Sequence, residues 1–166
     1  SLSDGRGSCT YRYGTTRSAD WHQLPGAGGR HVFVQIDRLG SGSTTIFWGG
    51  EGEEFIGGVD SDLMNCRLYL VGWTTSRNAP LLSGRYDGGP AQPFAGGATD
   101  GFLLKSAWDG LIFAGYVGGP GADRLYDIRT TVPTGSEGAL VFAGETDDTL
   151  WPGATVSRIG SGGKTD

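Results

Sequence analysis

The chain has 166 residues, 37% of them hydrophobic, enough for one ordinary domain with its own core. The formal charge is −5, and the thirteen Lys and Arg are scattered, with Lys105 and Lys164 the only lysines, which excludes the basic stripe of a nucleic-acid binder. No apolar run approaches the ~18–20 residues that span a bilayer, and SLSDGRGSC at the start has neither region of a secretory signal.

The only methionine is Met64, so the chain reads as a processed product or a fragment, and removal of a secretion signal would account for its start. Glycine supplies 32 residues and proline 7. That glycine content is far above the usual ~7%, and a folded chain so rich in glycine implies many tight turns, as in an all-β meander.

The elements follow in order. Ser8–Tyr13 (SCTYRY) is strand-like and leads into a turn-forming stretch punctuated by Leu24-Pro25-Gly26 and Gly28-Gly29. His31–Asp37 alternates Val32, Val34 and Ile36 against Phe33 and Gln35, the period of a strand with one apolar face. Thr44–Trp48, Phe55–Asp60 and Cys66–Trp73 are the next strands, the second of them interrupted by Gly57-Gly58. A long connection then leads to Gly101–Ala107, Gly110–Tyr116, Arg124–Thr130 and Gly138–Ala143.

These last four strands repeat the order of the earlier four. Gly28-Gly29 corresponds to Gly96-Gly97 (a shift of 68), Gly49-Gly50 to Gly118-Gly119 (69), Phe33 to Leu103 (70) and Gly72 to Gly144 (72). Four-stranded repeats of this length read as propeller blades. The expected fold is all-β, one domain with two four-stranded antiparallel blades and an extra N-terminal strand. Residues 1–27 hold an orphan fourth strand and exit loop, 28–95 the first blade, 96–153 the second, and 154–166 the stub of a further repeat. Two blades do not close a ring that needs ~4 or more. Either several chains share one assembly, or the chain is part of a longer propeller.

The units resemble the bacterial secreted β-propeller repeats known as SBBP repeats. The second unit carries Gly96-Gly97, Asp100-Gly101-Phe102, Tyr116-Val117-Gly118-Gly119-Pro120-Gly121-Ala122-Asp123, Val141-Phe142-Ala143-Gly144-Glu145-Thr146 and Leu150-Trp151-Pro152. The first carries Gly28-Gly29, His31–Val34, Trp48–Glu54 and Leu70–Thr74, but has Glu54 where the pattern has Asp and no aromatic before Pro80. The resemblance implies a propeller-type fold and an extracellular or cell-surface setting. It carries no common catalytic residues.

Candidate sites are few. Cys9 and Cys66 both open a fourth strand; they are expected either as a disulfide, within or between chains, or as two buried thiols. Two acidic groups, Glu51, Glu53 and Glu54 with Asp60 and Asp62, and Asp123 with Asp127, offer oxygens to Ca²⁺, though turn formation explains them as well. No other cofactor is expected. His22 and His31 have no nucleophile motif beside them, and the chain is not expected to be an enzyme. Trp21, Trp73 and Trp151 recur at blade exits, either as glycan-stacking positions or as anchors for the loop between blades.

The function expected from these features is structural. An extracellular or surface protein would self-associate into a ring or filament by donating Ser8, Cys9, Thr10, Tyr11, Arg12 and Tyr13 to the sheet of a neighbouring copy. The alternative is a lectin-like module that uses the three tryptophans.

Overall fold

Runs rich in β-branched and aromatic residues between Gly, Asp and Ser turns favour a pleated, half-buried backbone, and the computed structural model shows that result. It describes residues 9–18, 29–62, 65–83, 91–131 and 139–148. Nine strands run through them: β1 (Cys9–Thr16), β2 (His31–Arg38), β3 (Gly42–Trp48), β4 (Glu54–Asp62), β5 (Arg67–Thr74), β6 (Asp100–Ala107), β7 (Gly110–Val117), β8 (Asp123–Thr131) and β9 (Ala139–Thr146). Every expected strand is present, and all pairing between them is antiparallel.

Membership of the sheets differs from the expected blades. The strands form a three-stranded sheet β1-β2-β3, a four-stranded sheet β4-β5-β6-β7 and a two-stranded sheet β8-β9. The expected first unit, residues 28–95, is therefore split between two sheets, and so is the second, 96–153. The reason lies in the linkers. The short Gly-rich turn after β3 looks like a hairpin but carries the chain to a new sheet, whereas the long connection after β5 brings it back so that β6 lies beside β5. That connection is held along β7 by bridges at Leu82–Ala114 and Gln92–Tyr116. The Tyr116 hydroxyl also donates to Ser76 O and accepts from Ala79 N–H, at 2.8 and 2.9 Å.

The register also corrects one correspondence. Thr16 pairs with His31 as Thr74 pairs with Asp100, so His31 matches Asp100 at a shift of 69 and Phe33 matches Phe102, not Leu103. A one-residue slip inverts the face of every side chain in a strand, so the correction decides which residues point where. Val32, Val34, Ile36 and Trp48 of the first sheet pack against Leu68, Leu70, Phe102, Leu104, Ala114 and Tyr116 of the second. The opposite face of the second sheet, Tyr69 and Val71 with Leu103 and Val117, packs on Leu125 and Ile128 of the third. The second sheet is thus covered on both faces, which is why β5 is almost continuously buried.

Two devices tie the sheets together. Cys9 and Cys66 form a disulfide, with Cα atoms 5.7 Å apart, that joins the first sheet to the second. Gly57 and Gly58 let β4 approach the backbone of β8 so closely that a Cβ at either position would overlap residues 125–128. The glycines that weaken β4 as a strand in the sequence are therefore its contact with the third sheet. Bulges fall at matching places, between Ile56 and Gly58 in β4 and between Leu125 and Asp127 in β8.

The disulfide closes 57 residues of chain. Replacing both cysteines (Cys9→Ser with Cys66→Ser) is expected to lower the unfolding free energy by about 4 kcal/mol, the chain-entropy value for a loop of this length. Urea denaturation of the pair of proteins measures it.

Candidate functional site

The chain passes between sheets twice, and both passages are built on a buried carboxylate. At the first, residues 49–53 turn from β3 into β4, and Glu54 opens β4 fully buried. Its Oε1 accepts from Thr74 Oγ1 (2.9 Å), from Ser76 Oγ and from Gly50 N–H (3.4 Å). Its Oε2 lies 3.5 Å from His31 Nδ1, a side chain that is itself 1% exposed. Gly49 has no room for a Cβ, which would overlap this carboxylate and the imidazole. Gly52 N–H donates to Ser76 Oγ (2.8 Å), Ser76 N–H to Thr74 Oγ1 (2.8 Å) and Thr75 N–H to Glu53 O (3.0 Å).

At the second passage, between β7 and β8, Asp123 stands where Glu54 stood. Its Oδ2 accepts from Gly119 N–H (2.8 Å), and its own N–H donates to Thr99 O (2.8 Å). Gly121 N–H donates to Asp148 Oδ1 (2.8 Å), Asp148 N–H to Thr146 Oγ1 (3.0 Å) and Asp147 N–H to Ala122 O (3.0 Å). The main-chain N–H bonds repeat those of the first passage with Asp148 in the place of Ser76, except that the Ser76 hydroxyl donates to Glu54 whereas the Asp148 carboxylate repels Asp123; Asp100 occupies the place of His31. A third copy begins after β1, where Ser18 N–H donates to Thr16 Oγ1 (3.0 Å).

Burial pushes the Glu54 carboxyl up to about 7, against the pull of the Ser76, Thr74 and Gly50 donors. Burial likewise pushes Asp100 up to about 6, with Asp123 and Asp148 adding repulsion, and it raises Asp123, with Asp148 and Asp147 contributing. Tyr11 and Tyr116 are each pushed up to about 12, chiefly by burial.

The expected site residues fall as follows. Ser8, Trp21, His22 and Trp151 lie outside the described residues. Thr10, Tyr11, Arg12 and Tyr13 are not free for donation as a separate arm: with Cys9 they pair with residues 34–38 of β2 in the same chain, and only the other edge of β1 is without a strand among the described residues. Trp73 is a packing residue here. Its ring stacks on Phe55 (5.3 Å, 10° between planes), which also lies under the Arg30 guanidinium, and it meets Tyr126 edge-on at 5.6 Å. Trp48 is fully buried, donates Nε1–H to Pro80 O (2.8 Å) and packs on Phe102; Trp108 lies under the Arg38 guanidinium.

The two acidic groups do not converge. Glu53 pairs with Arg17 and Arg30, Asp60 accepts from Ser61 and Thr130 N–H, Asp62 accepts from Asn65, and Asp127 pairs with Arg129. Among the described residues no group of three His, Cys, Asp or Glu is placed to hold a metal ion. No helix there is long and apolar enough to cross a membrane.

The sequence showed Thr74, Asp100 and Thr146 only as repeat-motif positions, and Ser76 and Asp148 were passed over. A signal for them exists: T-x-S or T-x-D follows three strands, as Thr16-Arg17-Ser18, Thr74-Thr75-Ser76 and Thr146-Asp147-Asp148. Set against known proteins, the chain matches no family model and no curated protein.

A carboxyl whose pKa rises on folding stabilises the fold while protonated. For Glu54 that contribution is full below pH 4.5 and lost as pH rises through about 7. Stability is therefore expected to fall by up to about 3 kcal/mol from this group between acid and mildly alkaline pH. Glu54→Gln, which keeps an acceptor for Thr74 and Ser76, should flatten that part of the profile in urea titrations at pH 5 and pH 8.

Proposed function

We propose that the chain is an extracellular or cell-surface structural scaffold of β-propeller-type blades that self-associates through open sheet edges. The observation that carries this reading is the edge of β9. The strand is eight residues long and largely exposed, with Val141 at 57% and Phe142 at 38% exposure. It contains no proline or lysine, and the bulge in its sheet falls on β8. Edges left long and apolar in this way are pairing surfaces.

The internal comparison supports the same conclusion. β5, which matches β9 in register with its unit, is flanked on both sides by β4 and β6, whereas β9 pairs only with β8 and β1 only with β2 among the described residues. A β9 edge of one copy meeting the β1 edge of the next is a head-to-tail contact, which gives a ring if its rotation closes and a filament if it does not. Strand sharing thus uses the outer edge of β1, its inner edge being occupied by β2.

The disulfide between sheets favours an oxidising compartment, in keeping with the resemblance to secreted propeller repeats. The polar clusters serve turns, ion pairs and strand ends, so the role proposed is architectural and not catalytic.

Light scattering and electron microscopy of the purified chain should find rings or filaments. Val141→Lys, which places a charge on the exposed strand at a largely exposed position, is expected to shift the sample to monomer. A monomeric wild-type chain over micromolar to millimolar concentrations would sink the reading.

A further inference from the structure

The two passages between sheets share one set of main-chain N–H bonds but differ in charge. At the first, the residues around the carboxylate are His31 and Ser76; at the second they are Asp100 and Asp148. The second passage therefore gathers three carboxyl groups from three places in the chain: Asp100 at the start of β6, Asp123 at the start of β8 and Asp148 just after β9. Asp100 and Asp123 are both 0% exposed.

Each of the three keeps one oxygen occupied, by Ala95 N–H (2.5 Å), Gly119 N–H (2.8 Å) and Gly121 N–H (2.8 Å) respectively. Gly96 N–H also acts on Asp100 and the Thr146 hydroxyl on Asp123, both favouring the charged form, but Asp100 Oδ1, Asp123 Oδ1 and Asp148 Oδ2 are buried with no donor in bonding geometry. Buried ionised carboxylates left unpaired are costly, so the fully buried Asp100 and Asp123 take up protons instead.

The neighbours offer no charge to balance them. From β8 and the residues after β9, Asp100 faces Asp123 and Asp148, and Asp123 also feels Asp147. From β7 it faces the Tyr116 hydroxyl, which Asp100 and Glu54 both influence. On β5 its partner in register is the neutral Thr74. The basic groups of these elements lie elsewhere: Arg124 pairs with Glu145 and Arg129 with Asp127, Lys105 sits over the Tyr69 ring and Arg77 over the Phe94 ring, and Arg67 is at the opposite end of β5 from Thr74.

We propose that Asp100 and Asp123, with the Asp148 carboxylate beside them, form a proton-operated latch that holds the β8–β9 sheet on the β4–β7 sheet in acid and loosens it at neutral pH. The geometry makes the effect local, because the cluster bridges β6 of one sheet to β8 and the end of β9 in the other. The burial-driven rise of the Asp100 and Asp123 carboxyls agrees in direction. Their contribution is complete below the ordinary carboxylate range and is lost as pH rises through about 6, the value for Asp100. The latch does not depend on self-association.

The test is native-state hydrogen exchange of the full chain at pH 5 and pH 8, corrected for intrinsic rates. Protection of Leu125–Ile128 in β8 is compared with that of Leu68–Val71 in β5, with Glu54→Gln present throughout so that the first passage contributes no pH response of its own to β5. Relative protection of β8 is expected to fall about tenfold from pH 5 to pH 8, the linkage of one carboxyl raised by about two units. In Asp100→Asn, whose amide mimics the protonated acid, the fall should shrink to less than about twofold.

Asp148→Asn, at a half-buried position, should reduce the fall and serves as the second variant if Asp100→Asn does not fold. An equal pH response of the two sheets, or an undiminished fall in the variants that fold, would overturn the proposal. So would millimolar calcium restoring β8 protection at pH 8 in the Glu54→Gln chain, which would assign the cluster to a cation.

Discussion

A backbone that leaves one sheet and enters the next must satisfy its N–H groups where no ladder is present, and here one buried carboxylate does so at each crossing. Glu54 and Asp123 each accept a main-chain N–H from the glycine turn that precedes them. Their environment includes a Thr that closes the strand paired next to the one they open, Thr74 at the end of β5 or Thr146 at the end of β9, and a residue two positions later, Ser76 or Asp148, that takes a further turn N–H. The glycines allow the turn to fold over the carboxylate. Without those acceptors, buried donors would be left unpaired at a cost of about 1–3 kcal/mol each. The stacking of the sheets rests on this polar arrangement as much as on the apolar layers it encloses.

The layers follow from it. Once each turn is held, the alternation along β2 directs Val32, Val34 and Ile36 toward the second sheet, while β5 contributes Leu68 and Leu70 to one interface and Tyr69 and Val71 to the other. The interfaces are not equivalent. The first is large, aromatic at Trp48, Phe102 and Tyr116, and closed by the Cys9–Cys66 bond. The second is smaller and relies on the glycine-mediated approach of β4 to β8 and on the Asp60 carboxylate accepting Thr130 N–H at 2.7 Å. The third sheet is accordingly the part of the chain most dependent on its polar latch.

Much of this was legible before any coordinates. The period-two pattern of His31–Asp37 and the apolar runs flanked by glycine are local signals, and local signals are enough to place strands. The partner of each strand was not legible. A five-residue glycine turn reads as a hairpin, and only the buried Glu54 and Asp123 show that it is a crossing. The acids illustrate the same difficulty: Glu51, Glu53 and Glu54 are neighbours in sequence, yet Glu53 faces Arg17 and Arg30 at the surface while Glu54 is enclosed beside His31. Trp73 read equally as a glycan-stacking position or as an anchor, because its packing depends on Phe55 and Tyr126, which come from other strands.

By itself the sequence determined that this chain is all-β, where its strands lie and that its motifs recur about every 69 residues, because backbone propensity, side-chain alternation and turn chemistry act over a few residues. Only the tertiary structure decided which strands share a sheet, that Cys9 meets Cys66, and that Asp100, Asp123 and Asp148 come together. Those outcomes depend on register and on burial between sheets, where residues tens of positions apart compete for the same donors and the same space, and no local pattern records the result.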